Sequence, residues 1–184
     1  MLERHGVAVQ MSRTKDEDDN IIEEVRKCNA YSPDLAVDIH NNAGGGDGGE
    51  VFHSYLGGKG KTLAEDILAE IVKVGQNSRG VKIRMNASGK DYYAFIRNTT
   101  CPAVIVECAF VDNATDLDIL ATEGKRQIMG QAIAKGILKT LGIEFQAETG
   151  TLYRVIAGTY KVKANAEAML KKIKEEGFDA YISK

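Results

Sequence analysis

The stretch DLAVDIHNNAGGGDGGEVFHS, residues 34–54, runs an apolar segment into a histidine, His40, and then into two asparagines and a loop of glycines. A polar side chain at the carboxyl end of a buried strand stands where open α/β sheets place ligands. His40 is therefore a candidate for metal binding or catalysis, with a hydrogen-bonded structural histidine as the alternative. The glycines around Asp47 let backbone or ligand approach closely. They do not make a phosphate loop, which needs a lysine and a serine or threonine before its helix. Glu107 is the second candidate. It sits near the end of AVIVECAF (103–110), where desolvation would raise its pKa and suit it to general-base work, although salt-bridged glutamates also occupy such places.

The elements that must position these residues alternate along the chain. VAVQM (7–11) reads as a short strand after a helix end that Gly6 caps, DEDDNIIEEVRKCNA (16–30) as a helix, and DLAVDIH (34–40) as the next strand. EVFHSY (50–55) is another strand, followed from about Lys61 by a helix with Leu63, Ile67 and Ile71 at four-residue spacing. AVIVECAF is nearly continuous apolar, as a strand buried on both faces should be. A closing helix carries Ile133, Ile137 and Leu141, and Gly142 fits its stop. The alternation predicts an α/β fold, an open and mostly parallel sheet with helices on both faces.

With 184 residues, 43% of them hydrophobic and 27% charged, the chain has room for one good core and a small second module. The net charge of −2 is uninformative about partners, and neither nucleic acid nor membrane is expected as one. Cys28, Cys101 and Cys108 are too few and too odd in number for a disulfide framework. Cys101 and Cys108, along one strand, would lie roughly 23 Å apart and could neither pair nor share a metal. No apolar run approaches the ~20 residues of a membrane helix, and MLERHGVAVQ is neither signal peptide nor anchor.

After Gly142 the composition shifts. Residues 143–150 read as a connector, and LYRVIAGTY, NAEAMLKKIKEEG and FDAYISK as strand, helix and strand. Ala166, Met169, Leu170 and Ile173 supply one apolar helix face, with Lys171, Lys172 and Lys174 largely on the other. Residues 151–184 carry seven Lys or Arg against four Asp or Glu, a net of +3 that reads as a solvated basic face. A β-α-β piece of this size is too small to bury a core alone, so it needs a partner half or the main domain.

Taken together, DIHNNA, GGEVF, RGVK and AVIVECAFVDNATD, in that order, resemble the zinc-dependent N-acetylmuramoyl-L-alanine amidases, cell-wall hydrolases of bacteria and their phages. The resemblance covers residues 1–142. It implies an open, mainly parallel α/β sheet, Zn2+ as cofactor, peptidoglycan as partner, and cleavage of the amide between muramic acid and the L-alanine of the stem peptide. By the same resemblance His40 matches a zinc-ligand histidine and Glu107 the catalytic glutamate. Asn42 and Asn113 match motif positions that shape the site, and Arg79 a segment leading to the substrate groove, which also reads as a solvated loop. The family supplies two further zinc ligands ahead of these segments, a histidine in a Gly-His-Gly turn and a glutamate on the following helix. This chain has neither, and His5 matches no ligand position. A rearranged site using Glu50 or His53 is one explanation; the expected one is that Met1 is internal to a longer gene and an amino-terminal strand and helix are missing.

The tail has its own resemblance. YRVIAGTYKVKANAEAMLKKIKEEGFDAYI is similar to the first half of a SPOR domain, a peptidoglycan-binding module. By resemblance Tyr153, Val155, Ala157 and Tyr160 line its glycan-binding strand. The expected organisation is thus a catalytic domain over 1–142, a linker over 143–150 and a half SPOR-like repeat over 151–184. The expected function is a peptidoglycan amidase acting at the cell wall or outside the cell. The alternative is a non-catalytic wall-binding or regulatory fragment, and a small metallopeptidase outside wall metabolism is a weaker third reading.

Overall fold

AVIVECAF forms β4 (Ala103–Phe110), and every residue of it is buried except Glu107. Its neighbours are β1 (Ala36–Asn42), β2 (Gly49–His53) and β3 (Ser78–Lys82), in the order β1-β4-β2-β3. In this computed structural model, which describes residues 1–15, 20–147, 156–178 and 180–183, β1 runs parallel to β4 and β2 parallel to β3, while β2 is antiparallel to β4. The sheet is therefore mixed and mostly parallel.

Helices cover both faces. On one, Leu63, Ile67 and Ile71 of α2 (Gly58–Lys73) and Met129 and Ile133 of α5 (Glu123–Thr140) pack on Val51, Val104 and Val106. On the other, Val25 of α1 (Ile21–Tyr31) and Phe95 and Ile96 of α3 (Ala94–Asn98) pack on Phe52, Ala103 and Ile105. The split follows from strand alternation, since Val104 and Val106 face one way and Ala103 and Ile105 the other. Each buried Val, Leu, Ile, Phe or Met side chain among these contributes about 1.5–3 kcal/mol. The α2–α5 contact depends on Gly136, where a Cβ would stand 2.5 Å from the Ile67 Cα. Helix ends follow local chemistry: Asn20, Asn113 and Thr122 cap α1, α4 (Ala114–Leu120) and α5, and Gly142 at φ 70° ends the last of these.

One expectation fails. Residues 7–11 form no strand, and Val9 and Met11 are exposed. Alternating apolar residues become a strand only where a neighbouring strand takes up their N–H and C=O groups, and among the described residues no strand pairs with 7–11. In the tail, residues 151–155 lie outside the described residues, so Tyr153 and Val155 do too, while 156–160, 178 and 180–183 have no regular structure.

The chain divides into two compact units, Met1–Gln146 and Ala147–Lys184. The second contains α6 (Lys163–Glu175), ended by Gly177 at φ 85°. Ala166, Met169, Leu170 and Ile173 are its half-buried face, and Ala157 and Tyr160 are exposed. Among the described residues no helix is long and apolar enough to cross a membrane.

Candidate active site at the ends of β1 and β4

Strand register assembles the site. Glu107 pairs with His40 across the parallel β1–β4 ladder and with Glu50 across the antiparallel β2–β4 ladder. The three side chains therefore form a row on one face, with Glu107 in the middle. Asp38, two residues before His40, shares that face. Its Oδ1 accepts from His40 Nε2 at 2.9 Å. That hydrogen bond, opposed by partial burial and aided by the charges of Asp38, Glu107 and Glu24, raises the His40 pKa. In the neutral ring it places the proton on Nε2 and the lone pair on Nδ1.

Glu107 is half-buried, and its Oε2 is enclosed without a hydrogen-bond partner. Burial raises its pKa, the nearby Glu50 and Asp38 carboxylates add to the rise, and His40 opposes it. Glu50 is committed differently. Its Oε1 accepts from Asn42 Nδ2 at 2.9 Å, and its Oε2 from Arg79 Nε at 2.8 Å and from Lys82 Nζ. Burial pushes its pKa up, but Lys82 and Arg79 outweigh that and hold it below the usual carboxylate range. Arg79 and Lys82 are three residues apart, a spacing that points opposite ways on a regular strand. The register shift between Gly49 and Val51, with Gly80 at φ 86° on the facing strand, brings both to the same carboxylate. The Arg79 guanidinium also lies 4.8 Å from the centre of the Phe110 ring.

The loops leaving β1 and β4 are bound to one another. Asp112 Oδ2 accepts from the Gly44 and Gly45 N–H groups, each at 2.8 Å. Those two bonds hold its pKa down. Asn113 Nδ2 donates to the Gly46 carbonyl at 2.9 Å, while its Oδ1 caps α4 by accepting from Thr115 and Asp116. Asp116, wholly buried, accepts through Oδ2 from Gly48 N–H at 2.9 Å and Phe110 N–H at 2.7 Å. At Gly46 a Cβ would fall 2.2 Å from the Phe110 ring.

Residues 1–139 match the family model for N-acetylmuramoyl-L-alanine amidase. The chain belongs to the N-acetylmuramoyl-L-alanine amidase family. Residues 129–184 match the SPOR domain model, a match that begins within α5. The chain is 30% identical over 181 residues to the N-acetylmuramoyl-L-alanine amidase CwlM of Bacillus licheniformis, covering 98% of this chain and 68% of that one. Among solved structures it is similar to Cwp6 from Clostridium difficile, at 38% identity and a TM-score of 0.75, over 76% of this chain and 23% of that chain. It is also similar to the N-acetylmuramoyl-L-alanine amidase AmiC2 of Nostoc punctiforme, at 26% identity and a TM-score of 0.68, over 77% and 76% of the two chains.

Within this amidase-family sheet, the sequence-selected residues separate. His40, Glu107, Glu50, Asn42 and Arg79 come together. Asn113 lies in the adjoining loop with both ends of its amide used by the fold. His53 pairs with Val104 and so belongs to the opposite face, where its Nδ1 donates to the Ser54 carbonyl at 2.8 Å. His5 stacks on Phe145, donates from Nδ1 to the Met1 carbonyl and accepts from Gln146 N–H at Nε2. A catalytic zinc needs three protein ligands and an open position. Among the described residues no three His, Cys, Asp or Glu side chains stand together in a way that could hold a metal ion, so those residues do not fit zinc by themselves. Sequence reading missed Asp38, Lys82, Asp112 and Asp116. Asp38 had a signal in its two-residue spacing from His40 on one strand, and Lys82, Asp112 and Asp116 lie within the RGVK and VDNATD segments without having been singled out.

Proposed function

We propose that this chain cleaves the amide between N-acetylmuramic acid and the L-alanine of the stem peptide, with Glu107 as the proton-transferring group. The observation that carries the proposal is the enclosed, unpartnered Glu107 oxygen in register with His40. A carboxylate of raised pKa holds a proton well enough to hand it on. In the reaction water adds its oxygen to the scissile carbonyl carbon and passes a proton to Glu107. The carbon–nitrogen bond then breaks, and Glu107 returns the proton to the departing L-alanine nitrogen. His40 is the proposed zinc ligand, with Asp38 fixing its ring as a carboxylate does behind a ligand histidine. Family members use zinc to polarise the carbonyl and acidify water. The described residues hold only part of a zinc ligand set. Arg79, one-third exposed, is the proposed substrate contact, and Asn42 and Asn113 shape the site. In the tail, Tyr160 and Ala157, with Tyr153 and Val155, are proposed to meet glycan.

The test measures new L-alanine amino termini released from purified cell wall, alongside zinc content after dialysis against a mild chelator. Slow release, well under one zinc per chain, and loss of that release in Glu107→Gln are expected. A Glu107→Gln chain that keeps more than half the activity, at unchanged fold, would overturn the assignment. Stoichiometric zinc would point to a rearranged ligand set. Wall binding with no release by any form supports the second reading, a non-catalytic wall-binding chain, which the incomplete donor set favours.

A further inference from the structure

We propose that Cys28 and Cys101 are a disulfide-forming pair, a modification site that staples α1 to the entry of β4 on the folded chain. The two residues lie 73 positions apart in sequence. Cys28 is in the last turn of α1, and Cys101 stands two residues before β4. Both pack against the same core of Val25, Phe95, Ile96 and Ala103. Their chain neighbours are already bonded: Asn29 Oδ1 accepts from Thr100 N–H at 2.9 Å and from Thr100 Oγ1 at 3.2 Å, and Asn29 Nδ2 donates to the Asn98 carbonyl at 3.0 Å. The two thiols are near enough for each to act on the other's pKa. Cys28 and Cys101 are only partly buried and open to a reagent, whereas Cys108 is enclosed in the core.

A small-molecule disulfide such as oxidised glutathione supplies the oxidant. One protein thiolate attacks a glutathione sulfur, forms a mixed disulfide and expels one glutathione thiolate. The second protein thiol loses its proton and attacks the protein sulfur of that mixed disulfide, expelling the second glutathione. The protein loses two protons and two electrons, and oxidised glutathione gains them. Burial pushes the Cys101 thiol up to about 11 and raises that of Cys28, so thiolate is scarce at neutral pH and the reaction quickens as pH rises. A leaving thiol of high pKa makes the finished bond slow to reduce. The bond would secure a weakly held element, since Val25 is the one buried residue of α1. It rests on none of the catalytic assignments.

The native 184-residue chain is incubated with oxidised glutathione at pH 8.5, alkylated under denaturing conditions, and digested with trypsin and a glutamate-specific protease. Cleavage after Lys27, Glu50, Arg97 and Glu107 separates residues 28–50 and 98–107 from Cys108. The expected product is the 28–50 and 98–107 pair joined by a disulfide, in a monomer 2 Da lighter than the reduced chain. Closing so long a loop should raise Tm by about 5–10 °C, and Cys28→Ser and Cys101→Ser should each lose the gain while Cys108→Ala keeps it. The mass readout uses the unaltered chain, so it stands even where a variant fails to fold. Three alkylated cysteines, glutathione retained on either residue, a link through Cys108 or a cross-linked dimer would each overturn the proposal.

Discussion

Asp116→Ala should cost the Met1–Gln146 unit about 3–5 kcal/mol. The wild-type carboxylate is wholly buried and satisfies two backbone donors, Gly48 N–H and Phe110 N–H, through one oxygen. Hydrogen bonds to a charged acceptor contribute about 1.5–3 kcal/mol each, and alanine leaves both donors enclosed without an acceptor. At roughly 2–4 °C per kcal/mol for a chain of this size, Tm should fall by about 6–20 °C. Asp116→Asn separates geometry from charge. Its carbonyl oxygen can still accept both bonds, but its amide must occupy the place of Oδ1, which has no partner in the native chain. A cost of about 1–2 kcal/mol is expected for it, from two new buried donors and the lost charge. Urea unfolding followed by circular dichroism measures all three forms. The reasoning fails if alanine costs less than about 1 kcal/mol, or if asparagine is the more damaging change.

Asp112 tests the same junction by pH. Its folded pKa is depressed by the Gly44 and Gly45 N–H groups, so its contribution is present above the unfolded pKa and disappears as pH falls through the folded value. Asp112→Ala should therefore be less stable than the native chain at pH 7 and converge with it at pH 2; an equal deficit at both would refute this. For the tail, Tyr160→Ala should weaken retention of the full chain on sacculi stripped of stem peptides, through lost apolar stacking on sugar faces. Binding that ignores stripping and disappears with added salt would reduce the tail to a basic patch.

The fold was legible where one strand's sequence carries its own burial pattern. AVIVECAF became β4 over the residues expected, because a strand covered on both faces must be apolar throughout, and its lone glutamate then stands out. VAVQM misled because alternation states what a strand needs and not whether a neighbour is there. Glu50 shows the other limit. Its type allowed metal binding, but its fate depends on the register of β2 against β3 and on the bulge at Gly80, which places two cations on one oxygen. Cross-strand register is a property of pairs of segments, and neither segment alone records it. Cys101 makes the same point: Cys108 follows it along one strand, while the cysteine packed beside it on the same core belongs to α1.

The bonding between residues 44–48 and 112–116 makes those two loops a single exchangeable part. Three backbone N–H groups and one carbonyl of the glycine loop have their partners on Asp112, Asn113 and Asp116, and none of those partners lies within the loop itself. A hybrid amidase that took only GGGDGG from this chain would import donors without these acceptors, and one that took only VDNATD would leave Asp112 without its two glycine donors and Asp116 with the Phe110 N–H alone. Recombination between relatives should therefore tolerate crossovers that move both segments together and reject those falling between them.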